Sequence, residues 1–114
     1  MGEAITIRQA EGKWVVRSGG AILGETSAAL ELLEDGQDPV IYFPRGDVAM
    51  AFLDRTDKVT TCPHKGEASH YSIVNKSSTS ENVAWSYEDP VEQASAIRDH
   101  LAFHQRDGVL VEKI

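Results

Sequence analysis

The sequence has one cysteine in 114 residues, no excess of bases, only three Phe, three Tyr and two Trp, and no long apolar run. Each shortage removes a class of protein. A lone cysteine cannot form an internal disulfide or supply the paired thiolates of a structural zinc site. A reducing, cytoplasmic setting is the simplest expectation. A net charge of −7 argues against nucleic-acid binding, whose affinity comes mainly from neutralising phosphates. No segment approaches the roughly 20 apolar residues that cross a bilayer. The opening MGEAITIRQAEGKW has no basic stretch followed by an apolar one and does not read as a secretory signal, and no membrane partner is expected.

What remains is an ordinary globular composition, 41% hydrophobic and 25% charged, in a length that suits a single domain spanning residues 1–114. The charge is uneven. Residues 45–65 hold Arg45, Arg55, Lys58 and Lys65 against Asp47, Asp54 and Asp57, a net of +1, so the other 93 residues sum to −8. Glu25 to Asp38 contains five acids and no base. This leaves two options: a small anion site in the base-containing segment, or a solvated surface of uneven charge.

Short alternating strands are expected over Ala4–Arg8, Lys13–Arg17 and Ala21–Glu25, with Glu11-Gly12 and Gly19-Gly20 as turns. Ser27–Glu34 reads as a short helix: Ser27 can cap it, Ala29, Leu30 and Leu33 share a face, and Gly36 follows. Val40–Phe43 reads as a buried strand ended by Pro44. Asp47 can cap a turn or two of helix carrying Val48, Phe52 and Leu53 inward. Lys58–Cys62 and Ala68–Val74 read as strands joined by Pro63-His64-Lys65-Gly66, and Val83–Tyr87 as a further strand. Asp89, Pro90 and Glu92 have the spacing of a capping box, which predicts a helix with Ala94, Ile97, Leu101 and His104 on one side. Val109–Val111 supplies a last strand. The sum is an α+β domain dominated by antiparallel strands, with two or three short helices.

Cys62 is the obvious candidate nucleophile, with Lys65 close enough in sequence to activate it. The competing reading is a packed thiol that ends a strand. His100 and His104, four apart, are the one pair with chelating spacing on the expected helix, but no metal and no cofactor is expected. No phosphate-binding glycine loop or nucleophile elbow is present. A different set joins two places. YFPRGD supplies Tyr42, Phe43, Arg45 and Asp47, and AWSYEDP supplies Trp85 and Tyr87 on one face of a strand. Aromatics with a few polar groups are the usual lining of a small-molecule site. In that scheme Arg45 and Lys65 would receive a carboxylate or phosphate. The alternative is that the aromatics are core and that Arg45 pairs with Asp47.

VIYFPRGDV, TTCPHKGEASHYS, VAWSYEDP and IRDHLAFH occur in this order along the chain. Together they resemble domain-of-unknown-function family 427, also labelled nucleotidyltransferase family 9, over roughly residues 13–104. The resemblance implies an uncharacterised protein with a small folded-over antiparallel β-structure similar to Mss4-like or β-tent domains. That group includes zinc-binding modules, B-type methionine sulfoxide reductases and cage domains with aromatic pockets. The chain lacks the paired cysteines of the zinc-bearing members. It also lacks the Gly-Ser pair and spaced aspartates that the nucleotidyltransferase label requires. The family's recurrent positions fall on Tyr42, Phe43, Pro44, Asp47, Cys62, Lys65, Gly66, Ala84, Trp85, Tyr87 and Pro90. His64 and His104 stand where tyrosine is common, which suits a lining role better than that of an indispensable base.

Two functions follow as expectations. The first is binding of a small molecule, an anionic one included, in an aromatic pocket with Cys62 and Lys65 at its polar end and Arg45 and Asp47 near its mouth. The second is a non-catalytic interaction module using the acidic 25–38 face or a sheet edge. Open sheet edges leave a homodimer available.

Overall fold

The computed structural model describes residues 5–114, and Ala4 of the first expected strand lies outside them. Ten strands follow one another: β1 Ile5–Gln9, β2 Trp14–Ser18, β3 Ala21–Thr26, β4 Leu30–Glu34, β5 Val40–Tyr42, β6 Leu53–Cys62, β7 Gly66–Val74, β8 Thr79–Pro90, β9 Ala102–Phe103 and β10 Val109–Lys113. They form three antiparallel sheets, in the orders β1-β4-β5, β10-β2-β3 and β6-β7-β8-β9.

The four-stranded sheet is the middle layer. Tyr71, Ala84 and Phe103 belong to one apolar cluster with Val16, Leu23 and Val109 of the β2 sheet. Ala68, Tyr87 and Ala102 belong to a second cluster with Ile5, Leu32 and Tyr42 of the β1 sheet. Neighbouring residues 102 and 103, and likewise 42 and 43, split between the two clusters, as strand alternation requires. The β7–β8 register shifts between Glu67 and Ser69 and between Tyr71 and Ile73, each time with the extra residues in β8, so β8 is the bulged strand. Phe43 and Leu101 bridge the β1 sheet to the middle one.

The expected strands are all present, but the helices are not the ones the sequence suggests. Helical structure among the described residues is limited to three 3-10 segments, Arg45–Asp47, Met50–Phe52 and Glu92–Ile97. Ser27–Glu34 is instead a turn followed by β4. Thr26 Oγ1 accepts the Ala28 N–H at 2.9 Å, and Leu30 to Glu34 then pair with β1 on one side and β5 on the other. Leucines at 30, 32 and 33 satisfy a helical and an alternating pattern equally well, and tertiary pairing decides.

The Asp89 cap is also absent. Asp89 pairs with Glu67 and Pro90 with Gly66, so β8 runs on, and the 3-10 segment starts after Val91 without a side-chain cap. In the Met50–Phe52 segment Phe52 faces solvent, while Val48 and Leu53 turn inward. No helix among the described residues is long and apolar enough to cross a membrane.

Candidate functional site

The stretch TTCPHKG folds as a hairpin. Lys65 N–H donates to the Cys62 carbonyl at 3.1 Å, and Cys62 pairs with Gly66. Gly66 sits at φ +114°, and a Cβ there would meet Pro90 Cα and Val91 N at 3.3 Å. The close approach lets Val91 N–H reach the Lys65 carbonyl at 3.0 Å. This corner sets the direction of Lys65.

Lys65 Nζ donates to Glu34 Oε1 at 2.7 Å, and the two side chains are 11% and 17% exposed. The Lys65 ammonium lies 5.9 Å from the centre of the Tyr87 ring. Burial works against its charge, but the hydrogen bond to Glu34 and the neighbouring Tyr87 and Cys62 outweigh it and hold its pKa above the ordinary lysine value.

The pair borders a cleft of about 430 Å³ walled by β4, β5, β6, β7 and β8. Tyr42, Trp85 and Tyr87 line it. Trp85 Nε1 donates to Tyr42 Oη at 3.2 Å, and the two rings meet edge to face at 6.4 Å. On the other side His104 leans on Trp85, ring centres 4.6 Å apart. Burial pushes the Tyr42 hydroxyl far above the usual phenol range.

His70, across the strand pair from Trp85, completes the wall. It is 5% exposed, its Nε2 is 2.9 Å from Thr60 Oγ1, and its buried Nδ1 has no hydrogen-bond partner among the described residues. Burial, then Lys58 and His104, lower its pKa; burial, then Arg106 and Lys58, lower that of His104. In both rings the neutral imidazole is favoured over the imidazolium more than in a free histidine.

The structure thus gathers Tyr42, Lys65, Trp85 and Tyr87 and separates the rest. Phe43 is fully buried in the other core, edge to face with Phe103 at 5.8 Å. Cys62 is half-buried against the cluster of Tyr42 and Tyr87 and near enough to Lys65 to act on its charge, but it does not line the cleft. Asp47 is exposed in its 3-10 turn and does not pair with Arg45.

Arg45 is on the opposite face of β8. Its guanidinium bonds Glu88 at 3.0 Å, Ser86 Oγ at 3.1 Å and the Asp99 carbonyl at 3.0 Å. Ser86 and Glu88 alternate with Trp85 and Tyr87, so Arg45 cannot reach the cleft mouth. It and Lys65 are each matched by a different carboxylate and do not form one anion site.

His100 and His104 do not share a helix either: Asp99 turns the chain at φ +63°, and His104 follows β9. Among the described residues no three His, Cys, Asp or Glu side chains come together as metal ligands would. Sequence reasoning missed Glu34, Thr60 and His70. Glu34 was concealed in the acidic stretch and in an expected helix. The alternation of β7, read together with Trp85, carried the signal for His70.

A family profile for a domain of unknown function, DUF427, labelled NTP_transf_9, matches residues 6–113. The chain belongs to this family. Its description assigns no activity, and no curated protein matches the chain.

Proposed function

We propose that the protein binds a small organic molecule in the cleft between β4–β5 and β7–β8. The flat apolar part of the ligand lies against Trp85, with the nearly buried Tyr42 and Tyr87 as the floor beneath it, and its polar end meets the Lys65–Glu34 pair. The reading rests on one observation: three aromatic side chains and a shielded ion pair, from segments far apart in the chain, border one cleft. A concave site of a few hundred Å³ with aromatic walls and few polar groups is the usual form of a small-molecule site.

Binding is favoured over catalysis. An amine nucleophile needs a lowered pKa, whereas that of Lys65 is raised. Cys62 is packed into the cluster of Tyr42 and Tyr87 and does not line the cavity. The acidic face of the interaction-module alternative is reduced, because three of its five acids, Glu25, Glu31 and Glu34, are paired with Lys13, Arg8 and Lys65. We also read the antiparallel layers around one aromatic cleft as an architecture of the Mss4-like or β-tent kind.

The test is a thermal-shift screen of a diverse small-molecule library, since a ligand raises apparent stability by mass action. Hits are expected to lose their effect on Trp85→Ala, to weaken on Lys65→Ala and to persist on Arg45→Ala. Melting of the free variants confirms that each is folded. A screen whose hits ignore Trp85, or that yields none, overturns the reading.

A further inference from the structure

The cleft does not end at Trp85. A second depression of about 270 Å³ also has Val40 and Trp85 as walls, and adds Ile41, Phe103 and Gln105. It shares Trp14 and Glu31 with a third, of about 460 Å³, bordered by Arg8, Glu11 and Lys113. The run passes round the edge of the β1-β4-β5 sheet, from the Tyr42 side of β5 to the Ile41 side. The chain has two tryptophans, and both stand where adjoining depressions meet.

Both indole N–H groups are used inside the protein. Trp85 Nε1 bonds Tyr42 Oη, and Trp14 Nε1 bonds the Glu11 carbonyl at 3.0 Å. The rings therefore offer a ligand carbon surface and no donor. The charged lining of the three depressions is balanced: Arg8, Lys58, Lys65 and Lys113 face Glu11, Glu31, Glu34 and Asp38, four of each sign. Such a run gives an anion no net attraction. It offers carbon platforms at intervals, with groups between them that donate and groups that accept. Sugar rings carry the matching chemistry, apolar C–H faces edged by hydroxyls that both donate and accept.

We propose that the run of depressions binds a neutral oligosaccharide, with two of its rings seated on Trp85 and Trp14. This rests on the small-molecule reading of the cleft and extends it along the chain of the ligand. A polyproline segment also favours aromatic grooves, but it brings only carbonyl acceptors and would offer no donors to the accepting groups of the run, Glu11, Glu31, Glu34 and Asp38.

The two tryptophans make the test direct. Protein labelled with 5-fluorotryptophan gives two fluorine resonances, assigned with Trp14→Phe. It is titrated with cellotetraose, N-acetylated chitotetraose, maltotetraose, their monosaccharides and a proline decamer. One tetrasaccharide is expected to move both resonances on a single binding curve, with its monosaccharide about tenfold weaker because it occupies one platform. Trp14→Ala is expected to weaken that tetrasaccharide about tenfold while the Trp85 resonance still responds. If no tetrasaccharide moves both resonances, or the proline decamer does so instead, the proposal fails. If library hits still move the Trp85 resonance in that case, the small-molecule cleft survives without the oligosaccharide. If they do not, both readings fall.

Discussion

Lys65 and Glu34, 31 residues apart, form an ion pair at 2.7 Å with both side chains largely shielded from water. The hairpin corner at Gly66 supplies the lysine, and the end of β4 supplies the carboxylate. Removing one member leaves the other charge shielded and unmatched, which costs more than the pair contributes.

Lys65→Met is therefore expected to lower stability by about 1–3 kcal/mol. The double variant Lys65→Met with Glu34→Leu should recover part of that loss, measured by urea denaturation. The pH dependence has a definite sign. A lysine whose folded pKa lies above 10.5 contributes stability that is whole below 10.5 and is lost as pH rises through the folded value. Wild-type melting temperature should fall more steeply than that of Lys65→Met from pH 10.5 upward.

Gly66→Ala is expected to cost about 2–3 kcal/mol. The backbone at φ +114° disfavours any side chain, and the new Cβ would press on the β8 backbone at Pro90 and Val91. Gly46 lies in an open turn, where an added Cβ would find nothing within 4 Å. Gly46→Ala therefore serves as the control and should stay within about 0.5 kcal/mol of wild type. Equal losses in the two variants would show that backbone conformation and crowding at Gly66 are not the cause.

His70 gives the acid counterpart. Its pKa is lowered by burial, then by Lys58 and His104, so the unfolded chain takes up the proton first. Stability is then complete above pH 6.5 and declines as pH falls through 6.5 towards the folded value. His70→Gln should flatten this decline in denaturation curves between pH 7.5 and 5. In NMR the His70 ring protons should titrate below 6.5. A midpoint above 6.5 would contradict the burial of this ring beside Lys58.

The strands were legible because alternation and turn residues agree locally, as in Lys58–Cys62 and Ala68–Val74 around Pro63–Gly66. The helices were misread because local signals competed with pairing. Leu30, Leu32 and Leu33 fit either period, and the Asp89-Pro90-Glu92 capping pattern yields to the β8 ladder with Gly66 and Glu67. The aromatic members of the cleft were legible as a strand face, Trp85 and Tyr87. Their polar partners were not, since Glu34, Thr60 and His70 reach the cleft only through the register of three separate strand pairs, β1–β4, β6–β7 and β7–β8. Arg45 shows the opposite error: it is near Tyr42 in sequence, yet strand alternation and Glu88 carry it to the far face.

That separation can be tested. Glu88 accepts from Arg45, Arg55, Tyr71 and Ser69, and both guanidinium groups lie near the Tyr71 ring, at 5.7 and 5.8 Å. The cluster ties the Arg45–Asp47 turn to β6, β7 and β8, away from the cleft. Glu88→Gln keeps the shape but removes the charge that two arginines share, so it should cost about 1–2 kcal/mol, reduced by the partial exposure of the group. Arg45→Ala should cost a similar amount and leave the affinity of any cleft ligand within about twofold of wild type. Lys65→Ala and Trp85→Ala should behave the other way, with losses in ligand affinity beyond their losses in stability. A cleft ligand whose affinity falls with Arg45→Ala as much as with Trp85→Ala would return Arg45 to the binding site and contradict the face assignment made by β8.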